Sequence, residues 1–125
     1  MTENEIASVV VDASYKVHKT LGPGLLESVY ETVLAYELQL REIPVCRQRP
    51  LPVIYESLVL DEGYRADLIV ADKVIVELKS VEKIIPVHKK QLLTYLRLSN
   101  MRLGLLINFG DNLIKDGITR VVNHL

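Results

Sequence analysis

A chain of 125 residues, 49 % apolar and 25 % charged, has room for one hydrophobic core in a single domain over 1–125, with no need of metal or disulfide staples. Its net charge of −1 excludes a strongly basic nucleic-acid glue but not an enzyme acting on nucleic acid. The lone cysteine, Cys46, excludes an internal disulfide, the N-terminal MTENEIASVV is no secretory signal, and no apolar run approaches the roughly 20 residues of a membrane span, so a cytoplasmic protein is expected.

The first element reads as a helix, because Ile6, Val9, Val10, Ala13, Val17 and Leu21 recur at three- and four-residue spacing. Gly22-Pro23-Gly24 breaks it. A second helix is expected from about Leu25 to Arg41, with Leu26, Val29, Tyr30, Val33, Leu34 and Leu38 on its apolar side and Ile43-Pro44 after it. Val45–Arg49 and Pro52–Glu56 read as halves of one extended strand, where Pro50 and Pro52 imply a sheet edge or a bulge. A turn is expected at Asp61-Glu62-Gly63, then strands over Tyr64–Val70 and Val74–Lys79 joined by Ala71-Asp72-Lys73.

Pro86 can open a third helix, which runs to about Ser99 with Val87, Gln91, Leu92, Tyr95 and Leu96 inward. Arg102–Phe109 is a short, nearly continuous apolar strand, the pattern of a strand covered on both faces. Asn108-Phe109-Gly110-Asp111 turns, and Ile114–Val122 can add a terminal edge strand. The order α-α-β-β-β-α-β implies an α/β fold of the α+β kind, a mixed sheet with helices packed on it.

Charge is distributed unevenly. Residues 1–42 hold seven acids against three bases, whereas residues 43–125 hold nine against twelve. Lys79, Lys83, Lys89, Lys90, Arg97 and Arg102 carry the basic surplus, which either offers phosphate contacts or is a solvated face.

Asp67 interrupts one apolar strand, and Glu77 and Lys79 interrupt the next. Glu77 and Lys79, two residues apart, share a face. Charges inside a sheet cost several kcal/mol each unless paired or metal-bound. Two carboxylates ~5 Å apart repel by roughly 3 kcal/mol at an effective dielectric near 20, and a divalent cation reverses that sign. From spacing alone, the same residues also fit a surface-facing Asp and a Glu–Lys pair on the polar side of a half-exposed sheet.

Gly24-Leu25-Leu26-Glu27-Ser28-Val29-Tyr30 matches the pattern of the GxxExxY proteins, a branch similar to PD-(D/E)XK nucleases. The resemblance continues, in order, through Tyr64-Arg65-Ala66-Asp67, Val76-Glu77-Leu78-Lys79, Gln91-Leu92-Leu93-Thr94-Tyr95-Leu96 and Leu106-Ile107-Asn108-Phe109-Gly110. Ala66 stands where the superfamily signature has its proline.

This resemblance implies a restriction-endonuclease-like core and a metal-dependent phosphodiester hydrolase acting on nucleic acid, DNA rather than RNA. By it, Asp67 and Glu77 look like the signature carboxylates, Lys79 its lysine and Gln91 the polar residue of the following helix. Glu27, Asp67, Glu77 and the Leu78 backbone carbonyl would then hold Mg²⁺ or Mn²⁺.

Rival readings stay open: a non-catalytic module binding nucleic acid or protein on the same fold, or a hydrolase of another phosphoester. The lack of a second domain favours a homodimer or a protein partner. Any acid in the position of Glu27, in a first helical turn, gains from the helix dipole. Gln91 can equally bridge its own helix surface. Tyr30 reads as a packing residue with a hydrogen bond to make. His88, one turn before Gln91, is placed to touch phosphate, although a lone histidine is usually structural. His18 and His124 carry no site signal, and Cys46 is expected to pack.

The connection between the motif strands sets a geometric condition. A two-residue hairpin at Asp72-Lys73 would put Asp67 opposite Leu78, on the face away from Glu77 and Lys79. A shared site requires either a three-residue loop that pairs Val70 with Val74, or a bulge, expected in Arg65–Asp67.

Overall fold

The computed structural model describes residues 1–125. Its elements are α1 (Glu3–Leu21), α2 (Glu27–Leu40), β1 (Val45–Tyr55), β2 (Leu58–Val70), β3 (Val74–Lys79), α3 (Pro86–Ser99), β4 (Leu103–Asn108), α4 (Ile114–Gly117) and β5 (Ile118–Val122). They build a five-stranded mixed sheet in the order β1-β2-β3-β4-β5, in which only β3 and β4 run parallel, joined through α3. The sheet is covered on both faces. Leu68, Val70, Val74, Val76, Leu78, Leu103, Leu105 and Ile107 pack with α1 and α2, while Ala66, Ile69, Ile75 and Leu106 pack against Leu92 and Leu96 of α3. No helix is long and apolar enough to cross a membrane.

The helices begin and end as local chemistry dictates. Thr2 and Glu5 exchange hydrogen bonds at the start of α1, at 3.2 and 2.9 Å, satisfying two otherwise orphan donors. Gly22 (φ 70°) and Gly24 (φ 104°) then take left-handed turns that an L side chain resists. Tyr30 is fully buried, as its packing role requires, and stacks on Phe109 at 4.5 Å. Its hydroxyl donates to the Gly22 carbonyl at 2.6 Å and accepts from the Leu25 N–H at 3.1 Å. The tyrosine of the G-x-x-E-x-x-Y pattern thus anchors the loop that presents Glu27.

Several expectations need correction. The β1–β2 turn lies at Glu56-Ser57, since Tyr55 pairs with Leu58. Asp61, Glu62 and Gly63 sit instead within β2, where the register shifts and these three residues face Pro52 alone. A Cβ on Gly63 would lie 2.0 Å from the Val53 side chain, so this glycine marks a close approach, not a turn. Leu21, Leu26, Val29 and Val87 are exposed, and so is Cys46, which does not pack. On α2 the buried positions near Leu34 go partly to Glu31 and Glu37, each neutralised by arginine or lysine.

Between β2 and β3 the loop has three residues, and Val70 pairs with Val74, Ile69 with Ile75 and Leu68 with Val76. Ala71 (φ 51°) and Asp72 (φ 55°) are both left-handed, and the Lys73 N–H closes the turn on the Val70 carbonyl at 3.1 Å. Alanine is strained there. Ala71→Gly is expected to raise stability by ~0.5–1 kcal/mol, read as a higher denaturant midpoint; a lower midpoint would show that the turn carries no such strain.

Candidate functional site

The β2–β3 register continues toward Asp67 opposite Glu77, but the backbone ladder ends one pair earlier. Side chains take over. Asp67 Oδ2 accepts the Leu78 N–H at 2.9 Å, and Glu77 Oε2 lies 3.4 Å from the Asp67 N–H. Side-chain alternation also slips here. Leu68 and Val70 face the α1–α2 core and Ile69 faces α3, yet Ala66 packs on the α3 side, where strict alternation would not send it. The expected bulge in Arg65–Asp67 does not form: β1 keeps register across that stretch, with Arg47 opposite Leu68 and Arg49 opposite Ala66, and the three-residue loop alone sets the β2–β3 pairing.

One cavity of about 210 Å³ gathers Glu27, Asp67, Glu77, Lys79 and Gln91, together with Arg65, His88 and Tyr95. Five elements contribute: the first residue of α2, the parts of β2 and β3 beyond their shared ladder, Leu106 of β4, and α3, whose positions 88, 91 and 95 share a helical face. Gln91 is solvent-exposed at the rim, not inward as its helical stripe suggests. His88 Nδ1 accepts the Ile85 N–H at 3.2 Å and so closes the start of α3. Tyr95 stacks on Tyr64 at 4.0 Å, and the Tyr64 hydroxyl donates to the Tyr95 carbonyl at 2.8 Å. Two larger hollows, of about 640 and 870 Å³, border α1 and contain none of the motif residues.

The electrostatics centre on Glu77. Burial, then a hydrogen bond to Asp67, then the Asp67 charge raise its pKa to about 9, against smaller opposition from the Asp67 N–H and Lys79. Its Oε1 is buried with no hydrogen-bond partner. Burial and the Glu77 charge also raise the Tyr95 phenol, and Tyr64 is raised chiefly by burial. Such a perturbed carboxyl beside a second one, with one oxygen unsatisfied, calls for a cation or a proton. Glu27 lines the cavity, but it does not join Asp67 and Glu77 in a cluster of three ligating side chains. Two carboxylates suffice for Mg²⁺, which keeps waters and takes its other ligands from phosphate. The donor set fits that ion.

A family model described as the PD-(D/E)XK nuclease superfamily matches residues 4–121. The chain belongs to this superfamily. Its mixed sheet, with helices on both faces, is the restriction-endonuclease-like fold of PD-(D/E)XK proteins. Neither a curated protein nor a solved structure matches it. In this PD-(D/E)XK chain, three residues at the site carried no recognisable signal of their own: Arg65, next to the motif alanine, and Glu31 and Gln48, described below.

Proposed function

We propose that this chain is a metal-dependent nuclease, hydrolysing phosphodiester bonds of nucleic acid at the Asp67–Glu77 pair. The observation that carries this reading is the buried, unpartnered Glu77 Oε1 beside Asp67, in a cavity that also receives Lys79. Asp67, Glu77 and the Leu78 carbonyl would hold Mg²⁺ or Mn²⁺, with Glu27 at the edge of the same cavity. A cation bound there supplies hard Lewis-acid chemistry beside a phosphate.

The chain's own residues do the rest. Lys79 orients the attacking water and offsets charge developing on phosphorus-bound oxygens. Gln91 and His88, on the α3 face of the cavity, contact the phosphate backbone. Exposed Lys83, Lys89 and Lys90 flank them and attract a polyanion. Tyr95 remains a protonated hydrogen-bond donor near the carboxylates.

Purified protein is expected to cleave at least one of single- or double-stranded DNA or RNA when Mg²⁺ or Mn²⁺ is present, DNA being the favoured substrate. Asp67→Asn should remove that cleavage. Wild-type protein that binds cation and nucleic acid but cuts none of the four would overturn the reading.

One observation favours a second reading, a protein-binding module. The β1–β2 hairpin extends beyond β3 and exposes Ile54, Tyr55, Leu58, Val59 and Leu60 at its tip. Large apolar side chains left exposed together at one hairpin tip support a protein contact surface, including that of a homodimer.

A further inference from the structure

Asp67 is held from two sides. Leu78 N–H donates to one carboxylate oxygen, Oδ2, and the Gln48 side-chain amide donates to the other, Oδ1, at 3.2 Å. The same amide nitrogen also donates to Glu31 Oε1. Both of its N–H groups are therefore committed to carboxylates, which fixes the amide orientation, because the carbonyl end cannot donate.

Glu31 is a firm base for this contact. It is 7 % exposed, and its second oxygen accepts from Arg47 Nε at 3.2 Å and Nη2 at 3.1 Å. Arg47 Nη2 is itself braced by Thr32 Oγ1 at 2.8 Å. A chain of contacts thus runs from α2 through β1 to the site carboxylate. Gln48, opposite Asp67, takes φ 50°, a left-handed conformation unusual for glutamine and unusual inside a strand. Strain of this kind persists only where surrounding contacts enforce it, and it gathers at functional sites.

We propose that Gln48, held by Glu31 and Arg47, is a positioning residue that orients the Asp67 carboxylate for the cation. The inference rests on the metal-dependent reading above and adds to it a support outside the family motifs. Each Asp67 oxygen receives one fixed donor and keeps a lone pair for the metal. Without the amide, the Oδ1 side of the carboxylate is free to turn, and cation affinity falls even though both ligands remain.

The test compares Gln48→Gly with Gln48→Ala, measuring Mn²⁺ affinity by electron paramagnetic resonance and stability by thermal melting. Both variants lose the amide, but glycine takes φ 50° without the strain that alanine, like glutamine, carries there. Both should bind Mn²⁺ about tenfold more weakly than wild type, while Gln48→Gly melts above Gln48→Ala. Affinity that follows the melting temperature would reduce Gln48 to a structural latch and overturn the proposal. Wild-type affinity in both variants would overturn it alone, leaving the metal site standing. A wild-type protein that binds no Mn²⁺ would overturn both.

Discussion

Without divalent cations, stability is expected to fall as pH rises from about 4.5 to about 9, and Glu77→Gln should remove the part of that slope due to this residue. In the folded chain Glu77 keeps its proton up to about 9, against an ordinary value of 4.5. Across that window the folded state binds one more proton than the unfolded state, so raising the pH favours unfolding. The limiting slope is about 1.4 kcal/mol per pH unit. Below the window both states are protonated at this group and the effect vanishes.

Saturating Mg²⁺ or Mn²⁺ should reverse the trend, since a cation satisfies both carboxylates at once. At a hundred times the dissociation constant, linkage adds about 2.7 kcal/mol, or roughly 10 °C in melting temperature for a domain of this size. Glu77→Gln should be more stable than wild type at pH 8 without metal and should gain nothing from it. Melting curves at several pH values, with and without Mg²⁺, decide the matter. Equal pH slopes and equal metal responses in the two proteins would refute the site.

The second large effect is expected at Lys79. Lys79→Ala should lower the cleavage rate by about 10²–10³-fold, the usual loss for one donor aimed at developing oxyanion charge. Mn²⁺ affinity should stay within about threefold of wild type, because Lys79 serves the transition state and is not a ligand. Single-turnover cleavage at saturating cation, beside direct Mn²⁺ titration, separates the two roles. A variant that cleaves normally, or that loses cation binding as well, would assign Lys79 to the structure of the cavity instead.

What could be read from the sequence was what depends on local chemistry. Asp67, Glu77 and Lys79 stand out because each interrupts an apolar strand, where a charge is costly without compensation. The order of the first seven elements follows from periodicity, although α4 takes up Ile114–Gly117 and leaves only Ile118–Val122 of the expected last strand. Pro50 and Pro52 imply an edge or a bulge because proline cannot donate to a ladder, and β1 shows both. The three-residue loop at Ala71-Asp72-Lys73 is one of two arrangements, the other a bulge, that keep Asp67 on the face of Glu77 and Lys79, and the structure takes the loop.

Tertiary structure alone decided the rest. The Asp61-Glu62-Gly63 triplet has the composition of a turn, but the space left by Gly63 is filled by Val53 from the facing strand. Exposure of Cys46 and Leu26 depends on what packs beside them, and periodicity does not encode that. The raised pKa of Glu77 needs burial and a neighbouring Asp67 ten residues away. The link from Arg47 and Glu31 through Gln48 to Asp67 joins side chains up to 19 residues apart. Exposed or charged residues of common type carry no periodic signature. Only when α2 and β1 pack side by side does a glutamine between two carboxylates become visible as a support for the site.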